Sequence, residues 1–318
     1  MTLKPTVLIT GASTGIGAVY ADRFAKRGHN LVLVARDKLR LDALAERLRT
    51  ETGVNVEVLQ ADLTDASALA RIEARVRDDA TIGILVNNAG MNGSGSFIEQ
   101  TPDVVSQIIN LNITALARLS NAITPRLVRA GGGSIINLAS VVGLAPELQL
   151  SVYGATKAFV LFLSQGLNIE LGAKGLYVQA VLPAATRTEI WERSGMRIED
   201  LPVVMEVEDL VDAALVGFDR RETVTIPPLP DEAQWQALEA ARQAMLPNYM
   251  QALPAAPAAA LDRLPKGWIN VRLLGGNPIQ LRTKIRRFQG VQPCCMPAAA
   301  SRIADTPTNR RRSPQSGR

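Results

Sequence analysis

The fold is decided by a short stretch near the N-terminus, residues 6–17, which reads TVLITGASTGIG. Its first five residues have the β-branched, apolar character of a buried strand, and a glycine-rich turn then opens a helical pattern. Glycines let the backbone approach a pyrophosphate closely, while the helix N-terminus supplies unpaired N–H groups and the positive end of a dipole. The stretch predicts a nucleotide-binding turn formed by Gly11, Ser13, Thr14, Gly15, Ile16 and Gly17.

The alternative interpretation of this stretch is a turn that binds nothing. Its spacing, Gly-x-x-x-Gly-x-Gly, also lacks the Lys-Ser/Thr ending of a triphosphate-binding loop. The turn therefore argues against a kinase or an ATPase, and its position between a strand and a helix favours a dinucleotide.

Downstream of the turn, strand-like and helix-like segments alternate along the chain. The predicted strands cover residues 6–10, 31–35, 54–58, 82–86, 134–138, 176–182 and 223–226. The two longest predicted helices cover about 103–129 and 152–171. This alternation predicts a doubly wound α/β fold of Rossmann type, in which about seven parallel strands are flanked by helices, with a C-terminal extension. Such folds bind ligands at the carboxyl ends of their strands.

Charge divides the 318-residue chain into two regions. Residues 1–261 carry 23 Lys and Arg against 28 Asp and Glu, whereas residues 262–318 carry 12 against 2. We predict a catalytic domain over 1–252, with substrate-capping segments at about 188–205 and 231–250, and a basic, disordered tail over 253–318. The acidic main domain argues against nucleic acid as a partner, although the tail leaves that alternative open.

Cysteine and histidine are too scarce for several kinds of site. The cysteines are the adjacent pair Cys294 and Cys295, and the one histidine is His29. A disulfide framework, a zinc site and a Ser-His-Asp triad are therefore not expected, and we predict no metal. No apolar run reaches the roughly 18 residues of a membrane span, and the N-terminus has no secretory pattern, so we expect a cytoplasmic protein.

The residue at the end of the second strand indicates the cofactor. An acidic residue there would bind ribose hydroxyls, but this chain has Arg36, whose guanidinium suits a 2′-phosphate. We therefore predict NADP(H) rather than NAD(H). The alternative is that Arg36 is solvated or pairs with an acid, and Asp37 follows directly. Asp62, after the third strand, is placed to contact an adenine.

Tyr153 and Lys157 are the candidate acid/base pair. Four residues apart on a helix, they share one face, and an ammonium beside a phenol lowers the phenol's pKa. Lowering that pKa from about 10 to about 7 requires roughly 4 kcal/mol. Ser140, at the end of the fifth strand, can hold a substrate oxygen, and Asn112 either holds a water or interrupts its helix.

Taken together and in this order, these motifs resemble the short-chain dehydrogenase/reductase family of the single-domain kind over roughly residues 5 to 250. The resemblance implies that Tyr153 transfers the proton, Lys157 lowers its pKa and binds the nicotinamide ribose, Ser140 positions the substrate carbonyl and Asn112 holds a relay water. It also implies that the cofactor is contacted by the turn and by Arg36, Asp62, Leu63, Asn88, Ala89, Gly90, Tyr153, Lys157, Pro183 and Thr188.

One position departs from the family pattern. Ala184 follows Pro183 where the family usually has glycine, and its Cβ would be strained if its φ were positive. The resemblance further implies a homodimer or homotetramer formed through the long helices, and a small carbonyl or alcohol substrate. The competing hypothesis is a non-catalytic NADP(H)-binding regulator on the same fold. Whether Leu144, Leu148, Leu150, Trp191 and Met196 line an apolar pocket or simply pack in the core stays open.

Overall fold

Seven parallel strands form a single sheet at the centre of the computed structural model, which describes residues 4–93, 95–193 and 197–251. The predicted tail over 253–318 and Met196 lie outside the described residues. The strands are β1 (Thr6–Thr10), β2 (Leu31–Ala35), β3 (Val56–Gln60), β4 (Ile82–Asn87), β5 (Gly133–Leu138), β6 (Leu176–Val181) and β7 (Val224–Thr225). Their order across the sheet is β3-β2-β1-β4-β5-β6-β7, which confirms the predicted doubly wound fold.

Helices cover both faces of the sheet. They are α1 (Gly15–Lys26), α2 (Lys38–Thr52), α3 (Ala66–Asp78), α4 (Pro102–Ile109), α5 (Leu116–Arg129), α6 (Ser151–Leu171), α7 (Ile190–Arg193), α8 (Val207–Asp219) and α9 (Glu232–Ala244). None of the described helices combines the length and the apolar character needed to cross a bilayer.

The helix predicted over about 103–129 is divided in the structure. A π-helical segment (Asn110–Ala115) separates α4 from α5 and carries Asn112. A π-turn adds one residue to the helical repeat, so hydrophobic spacing read at 3.6 residues per turn cannot distinguish it from continuous α-helix. Of the two alternatives left open for Asn112, the structure has the interruption of the helix, in the form of a π-helical turn.

The apolar core has two layers, one on each face of the sheet. On one face α1, α2 and α8 pack on the strands, with Phe24, Leu41 and Leu210 among the fully buried side chains. On the other face α3 and α5 do the same, with Ile72 and Ile123 among the buried side chains. Burial of both faces explains why the central strands are continuously apolar rather than alternating.

The strand order reverses between β1 and β4. The chain leaves β1 toward β2 and β3, and later returns to place β4 on the other side of β1. Two loops diverge there, so the carboxyl ends of β1 and β4 border a crevice. The glycine-rich turn follows β1 and Asn88 follows β4, so both candidate motifs lie at this crevice.

Candidate active site

The glycine-rich turn has room for backbone only. Gly11 has a φ of +65° and Gly15 a φ of +55°, a conformation that glycine adopts without strain. A Cβ on Gly17 would lie 2.4 Å from the Gly11 carbonyl oxygen and 2.5 Å from Asn88 Nδ2. The turn is therefore packed tightly against the segment that follows β4.

The N-terminus of α1 carries no side-chain cap. Thr14 occupies the N-cap position with an extended backbone and no side-chain hydrogen bond, and the first turn of α1 has no acidic residue. By contrast, Asp37 caps α2 and Asp65 caps α3. Uncapped N–H groups beside backbone-only glycines fit the pyrophosphate of a dinucleotide.

Asn88 ties the turn to the end of β4. Its Nδ2 donates to the carbonyl oxygens of Thr10 and Gly11, each at 3.0 Å. The Thr10 hydroxyl in turn accepts the N–H groups of Asn88 and Ala89, at 3.0 and 3.1 Å. The Asn88 side chain thus holds the turn in shape, and the two strand ends form one unit.

The residues predicted to contact the adenosine end are spread along the ends of β2 and β3. The Arg36 side chain is 70% exposed, and its Nη1 lies 3.9 Å from Asp62 Oδ2, a weak surface ion pair. Asp62 Oδ1 also accepts the hydroxyl of Thr64 at 2.7 Å. The Leu63 side chain is buried in the core, so only its backbone is placed to face a ligand.

Tyr153, Lys157 and Ser140 converge at the ends of β5 and α6. The Ser140 side chain is close enough to the Tyr153 hydroxyl to lower its pKa, and its own Oγ donates to the Pro183 carbonyl oxygen at 3.1 Å. Lys157 Nζ donates to the Leu138 carbonyl oxygen at 2.7 Å and lies 5.5 Å from the Tyr153 ring centroid. Gly90 borders the same cluster, because a Cβ there would lie 3.5 Å from Lys157 Nζ.

Burial dominates the pKa values of this pair. It raises the pKa of Tyr153 to about 12, although the neighbouring Ser140 side chain acts in the opposite direction. It lowers the pKa of Lys157 to about 8. The tyrosine shift is opposite to the direction expected from the sequence, because the loss of water around a buried phenolate outweighs the influence of Ser140. The spacing of the two residues carries no information about burial.

Both amide protons of Asn112 are donated to protein partners. Its Oδ1 accepts the Met91 N–H at 2.9 Å, and its Nδ2 donates to the Met91 carbonyl oxygen at 2.8 Å and to Thr156 Oγ1 at 3.1 Å. The side chain therefore has no donor left for a relay water in this arrangement. Thr156 was not identified from the sequence as part of the site, although its position between Tyr153 and Lys157 on the same helix indicated that it lies close to both.

The segment after β6 closes one side of the site. Thr188 lies against the glycine-rich turn, because a Cβ on Gly15 would lie 3.1 Å from Thr188 Cγ2. Among the described residues other than glycine, positive φ occurs at Gln149 and Arg221 and not at Ala184, so the strain considered for Ala184 does not arise. Arg40 on α2 and Glu189 form an ion pair at 2.7 Å, a contact that sequence patterns do not predict.

Comparison with known proteins identifies the family. Residues 5–198 match the family model described as short chain dehydrogenase. The chain belongs to the short-chain dehydrogenase family. The resemblance inferred from its motifs is therefore confirmed, and with it the class of NAD(P)-linked oxidoreductases.

Two solved structures are similar to this chain over most of their own length. One is a short-chain dehydrogenase from Sphingobium yanoikuyae in complex with NADPH; it is 66% identical with a TM-score of 0.78, and the match covers 79% of this chain and 98% of that one. The other is a bulky-bulky ketone specific alcohol dehydrogenase from Comamonas testosteroni; it is 58% identical with a TM-score of 0.75, and the match covers 80% and 98%.

A curated relative is more distant. The very-long-chain 3-oxoacyl-CoA reductase-B of Danio rerio is 35% identical over 187 residues, which are 58% of this chain. The match spans 60% of the length of that relative.

Proposed function

We propose that this chain is an NADP(H)-dependent oxidoreductase that transfers a hydride between nicotinamide and a carbonyl or secondary alcohol, with Tyr153 as the general acid/base. The observation that carries the proposal is the convergence of Tyr153, Ser140 and Lys157 beside an uncapped, glycine-lined helix N-terminus. A protein that only binds a dinucleotide has no need of a buried proton donor beside it.

The residues present fit the cofactor in three places. The N–H groups at the start of α1 would hold the pyrophosphate, and Arg36 would pair with the 2′-phosphate of the adenosine. Lys157 would donate to the nicotinamide ribose hydroxyls. When bound, the nicotinamide supplies the hydride to the carbonyl carbon. The NADPH complex of the Sphingobium yanoikuyae relative supports this choice of cofactor.

In the reductive direction, Ser140 and Tyr153 would both donate to the substrate carbonyl oxygen. As negative charge develops on that oxygen, the Tyr153 proton moves to it, and positioned proton transfer of this kind contributes about 10²–10⁴-fold. The Lys157 ammonium stabilises the resulting phenolate. Solvent then restores the tyrosine proton.

At neutral pH, Tyr153 is in the protonated form that reduction of a carbonyl needs. A phenol with a pKa of about 12 is fully protonated at neutral pH, and it can still protonate an alkoxide, which is the stronger base. Oxidation of an alcohol would require the phenolate, which burial disfavours.

For the substrate, we propose a ketone with a large apolar group on each side. Leu144 and Leu148 lie between Ser140 and Tyr153 and are 38% and 52% exposed, so they are not ordinary core residues. They supply an apolar border to the site. The specificity stated for the Comamonas testosteroni relative supports this substrate class.

A homo-oligomer formed through α5 and α6 is also proposed. Phe162 and Ile169 on α6 are 78% and 80% exposed. Large apolar side chains exposed next to one another on a helix are typical of a surface that binds another protein. A groove of about 840 Å³ lies beside them between α3, α5 and α6, lined in part by Leu163 and Leu167. A second copy of the chain would cover these apolar side chains.

The function is tested with purified protein, NADPH and 1-phenylhexan-1-one, followed by loss of NADPH absorbance. Turnover of this ketone in preference to acetone supports the proposal. Tight NADPH binding without turnover across a broad ketone panel would favour the regulator instead.

A further inference from the structure

The buried hydroxyls of Thr156 and Ser164, at two positions along α6, each make two hydrogen bonds of the same kind. Thr156 accepts from Asn112 Nδ2 at 3.1 Å and donates to the carbonyl oxygen of Tyr153 at 2.7 Å. Ser164, two turns further on, accepts from Asn137 Nδ2 at 2.9 Å and donates to the carbonyl oxygen of Val160 at 2.7 Å. Each is an asparagine-to-hydroxyl-to-helix link, and the two residues are 1% and 0% exposed.

The direction of the hydrogen bonds at Thr156 is fixed by chemistry. An amide nitrogen can only donate, so the hydroxyl oxygen accepts from Asn112 and its single proton goes to the Tyr153 carbonyl oxygen. A threonine that bonds back to its own helix is ordinary. What is not ordinary is that the same oxygen also contacts a second helix, at its π-helical turn.

The connection continues to the segment after β4. Asn112 holds both the N–H and the carbonyl oxygen of Met91, at 2.9 and 2.8 Å. Met91 begins the stretch that follows Gly90, and a Cβ on Gly90 would lie 3.5 Å from Lys157 Nζ. An uninterrupted series of hydrogen bonds therefore joins this stretch to the backbone of Tyr153, through Asn112 and Thr156.

We propose that Thr156 is a positioning residue for Tyr153, and that it sets the place of the catalytic turn of α6 relative to the π-helical turn and Met91. The proposal rests on the function proposed above. Ser164 attaches α6 to β5 by an equivalent link, so loss of the Thr156 link leaves the helix docked and affects mainly the turn that carries Tyr153 and Lys157. Small displacements of an acid relative to its substrate reduce catalysis strongly while leaving binding intact.

The test compares Thr156→Val, which keeps the shape and removes the hydroxyl, with Ser164→Ala as the matched control. NADPH and 1-phenylhexan-1-one serve as probes, and thermal unfolding is recorded for every variant. We expect both variants to lose similar stability. Only Thr156→Val is expected to lose kcat, by about tenfold, while its KM for NADPH stays within about twofold of wild type. Thr156→Ser is expected to restore kcat.

A kcat for Thr156→Val equal to that of Ser164→Ala would overturn the proposal. If Thr156→Val fails to fold, the pair Thr156→Ser and Thr156→Ala, which differ by the hydroxyl alone, decides the question in the same way. Tyr153→Phe separates the two levels of the argument. Retained turnover in Tyr153→Phe removes the proposed function, whereas an inactive Tyr153→Phe beside an unaffected Thr156→Val removes the positioning role alone.

Discussion

Replacement of Lys157 by methionine is expected to stabilise the protein while abolishing its activity. The lysine is 6% exposed, and burial lowers its pKa from 10.5 to about 8. A shift of that size means that holding the charged form in the folded protein costs about 3 kcal/mol at pH 7. Methionine removes this cost, but it leaves the Leu138 carbonyl oxygen without its donor, a loss of about 1 kcal/mol. The net expectation is a gain of about 2 kcal/mol.

The sign of the effect changes with pH. Below pH 8 the lysine is charged in both the folded and the unfolded chain, so wild type carries the whole penalty. Between pH 8 and 10.5 the folded lysine is neutral while the unfolded lysine is still charged, so the stability of wild type rises relative to the variant. The advantage of Lys157→Met is therefore expected to disappear by about pH 10.

Urea unfolding at pH 7 and pH 10 measures this difference directly. Lys174→Met, at an exposed position in the turn before β6, is the control for loss of a surface lysine and should show no such crossover. A Lys157→Met variant that is destabilised at pH 7, or whose difference from wild type does not change with pH, would refute the assignment of a costly buried ammonium.

Four further outcomes are expected. Arg36→Asp should shift the NADPH/NADH affinity ratio toward NADH by about 10- to 100-fold in fluorescence titrations, and an unchanged ratio would remove its role at the 2′-phosphate. Asn88→Ala should lower the free energy of unfolding by about 2 kcal/mol and weaken NADPH binding, because two carbonyl oxygens of the turn lose their donor. Phe162→Glu should produce a smaller species in light scattering, and an unchanged mass would exclude α6 from the interface. The rate of ketone reduction should fall above about pH 8, where Lys157 loses its proton; a flat profile would contradict this.

Much of the fold follows from local patterns in the sequence. The apolar runs of β1 and β2 were predicted correctly because each depends on residues close together in the chain. β7 was predicted over four residues but pairs with β6 over two, because strand length is set by the neighbouring strand.

The sequence predicted which residues form the candidate site, but not their burial, their hydrogen bonds or their pKa values. From the order of Ser140, Tyr153 and Lys157 along the chain, we predicted that these residues lie close together, and in the structure they do. Their pKa values depend on burial by segments distant in sequence, and no spacing rule contains that information. The hydrogen bonds from the Asn112 amide to Met91 and Thr156 also depend on tertiary structure. They form only because the segment after β4, the π-helical turn and α6 pack against one another.

Transfer of a labelled hydride tests the central claim most directly. Wild type and Tyr153→Phe are incubated with 1-phenylhexan-1-one and NADPH deuterated at both C4 positions of the nicotinamide, and the alcohol is analysed by mass spectrometry and NMR. We expect one deuterium on the carbinol carbon of the wild-type product and no product above background from Tyr153→Phe. Alcohol without deuterium, or deuterated alcohol formed equally well by Tyr153→Phe, would contradict the proposed chemistry.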